Sequence, residues 1–458
     1  MAALSSRAAE IGRARFPRLL DSCVAIGLRS GVRGHCPCGR CDAATLEETV
    51  SNLRDLVRID DPIFFVDNPF PVFAQMRQEQ PVFFVEAFDT FVLTKHEDVR
   101  MAGSDIATFS THEGTFLHDA RRREDAEPSA KRSILEAFFG AGVENMGTID
   151  GERHRQLRLA VAPAFSGRTM RRIEGAVTQY CQELVAEVWP DEPADWSAVA
   201  TLLPLRVVAS LVGLPDSDIP LIQRFTDTLE MIGDDRPLDD LEAIGADFLT
   251  LKDYVLGYYR AKRAQPQDDL LSALARPDND HLGKDTILML AMLVVAAAGG
   301  TTRSLLLGMI WALANHPEQQ ALVRTDRSMV AAAVDETLRY VTPVRAFLRT
   351  ALRDACVRDQ HIARGQHLYL MYMAANRDED VFPDGERFDI TRKQNVQHVT
   401  FGFGHHFCPG AGLARLEARS LLNAVLDRFL WFEPAGAPRP VHSLFRNSWH
   451  DMPIVFHR

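Results

Sequence analysis

The chain has 458 residues, a formal net charge of −11 at pH 7, 46% hydrophobic and 25% charged residues. These proportions belong to a folded globular protein with length enough for a substantial core, and they exclude a disordered or fibrous chain. The acidic balance argues against a general nucleic-acid binder, because neutralising phosphates takes a basic surface.

In chain order, residues 1–60 read as an N-terminal extension, since helical periods and turn signals start only near DPIFFVDNPFPVFAQMRQEQPVFF, 61–84. Within the extension, HCPCGRC (35–41) gathers His35, Cys36, Cys38 and Cys41. That density suits zinc or an iron–sulfur centre, although the spacing is not that of standard paired Cys-x-x-Cys motifs. The cysteine total of seven is odd and no secretory signal precedes it, which fits a reducing cytoplasm. Arg7, Arg13, Arg15, Arg18, Arg29 and Arg33, with few acids among them, leave an organelle-targeting segment as an alternative.

Residues 61–458 read as one catalytic unit. TFVLT (90–94) and HLYLMYM (367–373) are short β-prone pieces, and HDARRREDAEPSAKRS (118–133) is a charged, solvated loop. Apolar residues recur at three and four along 168–189 and 239–265, predicting amphipathic helices. TILMLAMLVVAAAGGTT (286–302) falls short of the roughly 18 uninterrupted apolar residues that span a bilayer, so it predicts a buried helix and no transmembrane segment. The fold class is mainly α, a large helical domain with a small β-rich portion.

FGFGHHFCPG (401–410) holds the most informative residue, Cys408. Gly402, Gly404, Gly410 and Gly412 bracket it and let backbone approach something bulky and flat. A helical period over 411–429 puts the cysteine at a helix N-terminus, where free N–H groups favour thiolate. Zinc wants several thiols or imidazoles at short spacing, and the adjacent His405 and His406 cannot easily both face one metal with Cys408. A lone thiolate better suits haem iron, whose in-plane ligands come from the porphyrin.

This loop, followed by GLARLE, resembles the cysteine-ligand loop of the cytochrome P450 family, and further motifs follow the family order through roughly residues 60–458. ETLR (336–339) resembles the Glu-x-x-Arg signature, which implies a buried ion pair of Glu336 and Arg339 with Arg387 nearby. GERHRQLR (151–158) resembles the helix that binds the haem carboxylates. The resemblance thus implies haem b, iron protoporphyrin IX, ligated by Cys408 and contacted by His154, Arg158, Arg349, Phe401, Gly404, His406 and Gly410. AAAGGTTRS (296–304) resembles the oxygen-activating helix, with Thr301 as its threonine and Gly300 where an acid is expected; a slip of one residue gives Thr302 that role. Neither register restores a carboxylate, so protons come through water or another side chain, the substrate supplies a polar group, or peroxide replaces dioxygen.

By the same resemblance, Phe116, Val294, Ala297, Val344, Leu444 and Phe445 line the substrate pocket. The implied activity is monooxygenation of a hydrophobic small molecule with O2 and electrons from a separate ferredoxin or flavodoxin and its reductase. Arg155, Arg415 and Arg419 offer a basic docking face on the cysteine side. The rival functions are a haem-thiolate protein that binds a ligand without turnover, and a peroxide-driven peroxygenase. Pro409 departs from the family loop, because it has no N–H to give the ligand sulfur.

Overall fold

The computed structural model describes residues 53–120, 144–232, 239–393 and 397–458, and it is mainly helical with a small β portion. The His35–Cys41 cluster and most of the charged 118–133 stretch lie outside the described residues. A helix at Leu53–Leu56 leads in, and Leu53, Val57 and Ile59 are buried in one cluster with Phe64, Phe65 and Phe73.

One helix organises the interior, Lys284–Ala314, 31 residues long. It begins after Gly283, whose φ of 83° is a left-handed value that favours glycine, and it stops ahead of His316–Pro317. Nearly all of its faces are apolar, and such a helix must be surrounded. The helices Ser197–Val212, Ile219–Ile232, Val330–Val341 and Ala411–Arg428 pack on it. A Cβ at Gly308 would lie 2.6 Å from Val341 Cγ2, so glycine sets the close approach of the Val330–Val341 helix. Among the described residues it is the single helix long and apolar enough to cross a membrane, and 67% of that apolar window is buried by its neighbours. The predicted buried helix over 286–302 is the middle of this element.

The helices predicted over 168–189, 239–265 and 411–429 occur as Gly167–Ala186, Asp239–Ala264 and Ala411–Arg428. The principal sheet has five strands in the order Val82–Val85, Thr90–Leu93, His367–Met371, Ala346–Ala351 and Phe109–Ser110. Thr90–Leu93 and His367–Met371 pair in parallel, whereas the other pairs are antiparallel. The expected strand over 367–373 ends early, because Tyr372–Ala375 turns into a short buried helix. This sheet carries Arg349 toward the loop before Cys408.

The Val330–Val341 helix is tied to that same region by a buried ion pair. Arg339 Nη2 donates to Glu336 Oε1 at 2.7 Å and its Nε to Oε2 at 2.8 Å. The remaining guanidinium protons reach the carbonyls of Asn376, Gly385 and Arg387. The second cation on Glu336 is Arg392, at 3.2 Å; Arg387, expected beside the pair, contributes its main-chain carbonyl. Glu336 also accepts from the Asp389 N–H, so one carboxylate stitches the helix to the segment 385–392. Removing one partner of such a pair leaves a buried charge without compensation. Glu336→Gln is expected to lower unfolding free energy by about 3–5 kcal/mol in urea titrations; a loss within experimental error would show that the network is dispensable.

Candidate active site

The loop 401–410 is shaped by two left-handed glycines, Gly402 at φ 68° and Gly404 at φ 65°. A Cβ on Gly404 would come within 2.9 Å of Ser104 Cα, so only glycine lets the loop lie against the His96–Ser104 helix. The Cys408 N–H donates to the Phe401 carbonyl at 2.9 Å, which closes the loop. Arg415 sits over the Phe401 ring at 4.6 Å, holding the loop to the Ala411–Arg428 helix. Burial pushes the Cys408 thiol up, and the N–H groups of Gly410 and Ala411 together with the charges of Arg158 and Arg415 pull it back toward thiolate. The sulfur is therefore held by the helix start, as the sequence predicts.

Around it stand basic side chains. His154 and Arg158 lie one turn apart on the helix Gly151–Val161 and so share a face. The His154 ring centroid is 4.4 Å from that of His406 and 5.9 Å from that of His405. Burial, then the neighbouring charges of His406, Arg158 and His405, hold the His154 pKa down to about 4. Its Nδ1 is buried without a protein partner, as is Nε of Arg349. Arg349 otherwise donates to the Leu348 carbonyl at 2.7 Å and reaches the Tyr372 hydroxyl.

His406 has a partner that sequence reasoning missed. Its Nε2 lies 2.7 Å from Asp150 Oδ1, and Asp150 also accepts from the Thr111 N–H at 3.0 Å and from the Ser110 hydroxyl. Burial alone would raise the Asp150 pKa, but these donors carry it well below the usual carboxylate range. The signal was present in sequence: Asp150 directly precedes the helix of His154, the place for an N-cap, yet its side chain turns to His406 and the 110–111 turn instead.

On the core helix, Ala297 is the one exposed position between Thr286 and Ala314. Thr301 lies one turn on, half-buried, with its hydroxyl donating to the Ala297 carbonyl at 2.9 Å. Thr302 is 5% exposed and Gly300 is buried, so the opening in the core helix belongs to Ala297 and Thr301. Val294, in the turn before, is buried, and Val344 is buried and bridges to Arg446. Phe116, Leu444 and Phe445 do come together, around a small cavity with Leu117, His118, Ala346 and Tyr369. Phe445 meets Phe116 edge-on at 4.9 Å and Phe347 at 5.5 Å. Phe347 was not anticipated, although strand alternation places it on the face of Arg349.

The arginines read as a basic docking face are partly neutralised. Arg155 pairs with Glu152 at 2.6 Å and Arg415 with Asp335 at 2.6 Å, while Arg419 donates to the Arg415 carbonyl.

Comparison with known proteins decides the family. The family model for cytochrome P450 matches residues 250–449. Cytochrome P450-terp of a Pseudomonas species is 32% identical over 409 residues, covering 84% of this chain and 93% of that relative. The chain belongs to the cytochrome P450 family. A steroid C26-monooxygenase of Rhodococcus jostii is 31% identical over 422 residues, covering 88% of this chain and 86% of its own. The solved structure of CYP108D1, a cytochrome P450 of Novosphingobium aromaticivorans, gives a TM-score of 0.76 at 28% identity, covering 88% of this chain and 98% of that one.

As a cytochrome P450, this protein is an oxidoreductase: a haem-thiolate monooxygenase that acts on hydrophobic molecules with electrons from a redox partner. The residues present suit haem. The two buried nitrogens without protein partners, on His154 and Arg349, match anionic carboxylates, and one thiol held by backbone N–H groups matches an iron ligand.

Pro409 leaves the sulfur with the two N–H donors at 410 and 411. Pro409→Leu adds a donor beside it and is expected to raise the haem reduction potential. A redox titration reading an unchanged or lower value would count against that account of the loop.

Proposed function

We propose that Cys408 is the axial ligand of haem b, with His154, Arg158, Arg349 and His406 holding its carboxylates. Phe401, Gly404 and Gly410 shape the loop beneath it. The observation that supports this best is the pairing of a sulfur backed by the Gly410 and Ala411 N–H groups with buried, partnerless nitrogens on His154 and Arg349. Haem ligated by thiolate supplies an oxidant strong enough to take hydrogen from an unactivated C–H bond.

The chain's own residues do the rest. Cationic donors orient the group through charge-assisted hydrogen bonds. The apolar wall of Phe116, Leu444, Phe445 and Phe347, with Val294, Ala297 and Val344, binds a hydrophobic substrate and excludes water. Thr301, whose hydroxyl opens on the same face as Ala297, holds a proton at Oγ1 for the oxygen chemistry. Electrons come from a ferredoxin or flavodoxin with its reductase, in the cytoplasm. The expected boundary at 60 falls inside a buried cluster that takes in Leu53, Val57 and Ile59, so the haem domain starts by Leu53, and Cys36, Cys38 and Cys41 belong to the segment before it.

The purified protein, reduced and mixed with carbon monoxide, is expected to show the Soret band of sulfur-ligated haem, and Cys408→Ser to lose it. A wild-type protein with full haem content and no such band would end this reading. With NAD(P)H, dioxygen and a surrogate redox system, a substrate drawn from terpenoids, steroids, fatty acids and aromatic acids should shift the haem spin state and give an oxygenated product. Product from hydrogen peroxide alone would favour the peroxygenase, and a spin shift without product under either drive a ligand-binding protein.

Thr301→Ala is expected to divert NAD(P)H from product to peroxide several-fold at unchanged stability. Thr302→Ala, on the buried side, is expected to lower the melting temperature with coupling preserved. The opposite pattern would move the functional hydroxyl to Thr302.

A further inference from the structure

Asp335 stands directly before Glu336 on the Val330–Val341 helix, yet the two carboxylates serve different neighbours. Glu336 is tied to the segment 385–392, whereas Asp335 Oδ1 accepts from Arg415 Nε at 2.6 Å, on the helix that follows Cys408. We propose that Asp335 is a positioning residue for the iron ligand: it holds Arg415 over Phe401, answers its charge, and so sets the reduction potential of the bound haem. The inference rests on the haem-thiolate reading above.

Three observations carry it. The first is an unbroken line of contacts from Asp335 to the ligand residue. Arg415, held by Asp335, lies over the Phe401 ring at 4.6 Å. The Phe401 carbonyl in turn accepts the Cys408 N–H at 2.9 Å. The guanidinium is thus fixed by a carboxylate at its edge and a ring at its face, above the residue that closes the ligand loop.

The second observation is that the same carboxylate faces the other flank of that ring. The His398 ring centroid is 5.8 Å from that of Phe401. His398 Nδ1 accepts from the Thr400 N–H at 3.3 Å, so the proton sits on Nε2, which lies 3.9 Å from Asp335 Oδ1. The Thr400 hydroxyl donates to the Leu338 carbonyl at 2.8 Å, which fastens the entry of the loop to the helix of Asp335. Burial holds the His398 pKa down, so Arg415 is the cation of the two groups that face Asp335.

The third is the balance of charge near the sulfur. Arg158 and Arg415 are the cations that draw the Cys408 thiol toward thiolate. Arg158 is assigned above to the haem carboxylates, which would answer its charge. Arg415 is answered by the protein, through its ion pair with Asp335. Each of these two side chains is 26% exposed, so water screens the pair only in part. Burial raises the Asp335 pKa, but the contacts with His398 and Arg415 more than reverse that, and the carboxylate stays charged.

The step served is the uptake of one electron by the haem from the redox partner, with no proton transferred and Cys408 kept as ligand. The group gains one negative charge. A cation beside the sulfur favours that gain, and an anion paired with the cation opposes it. Asp335 therefore keeps the potential below the value that Arg415 alone would set. A brace between two helices would have no such sign.

The test is a spectroelectrochemical titration of the full-length, haem-loaded protein. Asp335→Asn keeps an oxygen for Arg415 Nε and loses the charge. It is expected to favour reduction by roughly threefold in the equilibrium constant, about 30 mV upward at about 59 mV per tenfold for one electron. Arg415→Gln is expected to shift the potential downward, and the double variant Asp335→Asn/Arg415→Gln to return near wild type. Asp335→Glu, which keeps the charge, should stay with wild type. Lower urea midpoints with unmoved potentials, or shifts of one sign in both single variants, would reduce the pair to a brace and overturn the proposal. Should Asp335→Asn fail to fold, Arg415→Gln and Arg415→Lys decide. Lysine keeps the charge without the planar stack, so a potential as low in Arg415→Lys as in Arg415→Gln also overturns it. A wild-type protein whose reduced carbon monoxide complex lacks the band of sulfur-ligated haem would instead overturn the haem-thiolate reading.

Discussion

The structure turns on a sulfur, that of Cys408, set in a place with little water, where burial raises its pKa. Burial opposes a charged Cys408, and nothing in the side-chain chemistry of cysteine offsets that. Part of that rise is offset by the Gly410 and Ala411 N–H groups at the start of the Ala411–Arg428 helix and by the charges of Arg158 and Arg415, while two left-handed glycines fold the preceding loop. The helix can present those groups only if its far side is secured. The apolar core helix, the Val330–Val341 helix and the Glu336–Arg339 pair with its carbonyl acceptors supply that support.

A second constraint is the concentration of basic groups beside that sulfur. Arg158, Arg349, His154, His405 and His406 converge in a small volume, which repulsion alone would disfavour. The low pKa of His154 follows from burial first and then from these neighbours. Asp150 relieves part of the strain by pairing with His406, and it is fixed in turn by Ser110 and Thr111. Buried donors that still lack acceptors, on His154 and Arg349, leave room for the carboxylates of a haem.

The distal side shows how a missing residue can be read only with its surroundings. Gly300 in the sequence is an absence, and of the readings it leaves, protons through water or another side chain come before a polar group on the substrate or peroxide in place of dioxygen. In the folded chain a Cβ at Gly299 would collide with Thr226 Cγ2, so this glycine seats the Ile219–Ile232 helix on the core helix. A pair of small residues that could have meant close packing does mean it at Gly299.

By itself the sequence determined what local chemistry determines. The helical periods gave Gly167–Ala186 and Ala411–Arg428 nearly to the residue, and the apolar run at 286–302 marked a buried helix. The glycine-bracketed Cys408 was marked as a thiol at a helix start, because that placement needs only neighbours in sequence. Tertiary structure decided the partnerships between distant segments: Arg392 instead of Arg387 on Glu336, Asp150 on His406, Phe347 beside Phe445, and Thr301 rather than Thr302 on the open face. The first three join elements far apart in the chain, and the fourth depends on which side of the core helix other elements cover. Such contacts follow from how helices cross and strands pair, and a crossing leaves no period or spacing in the residues that meet there.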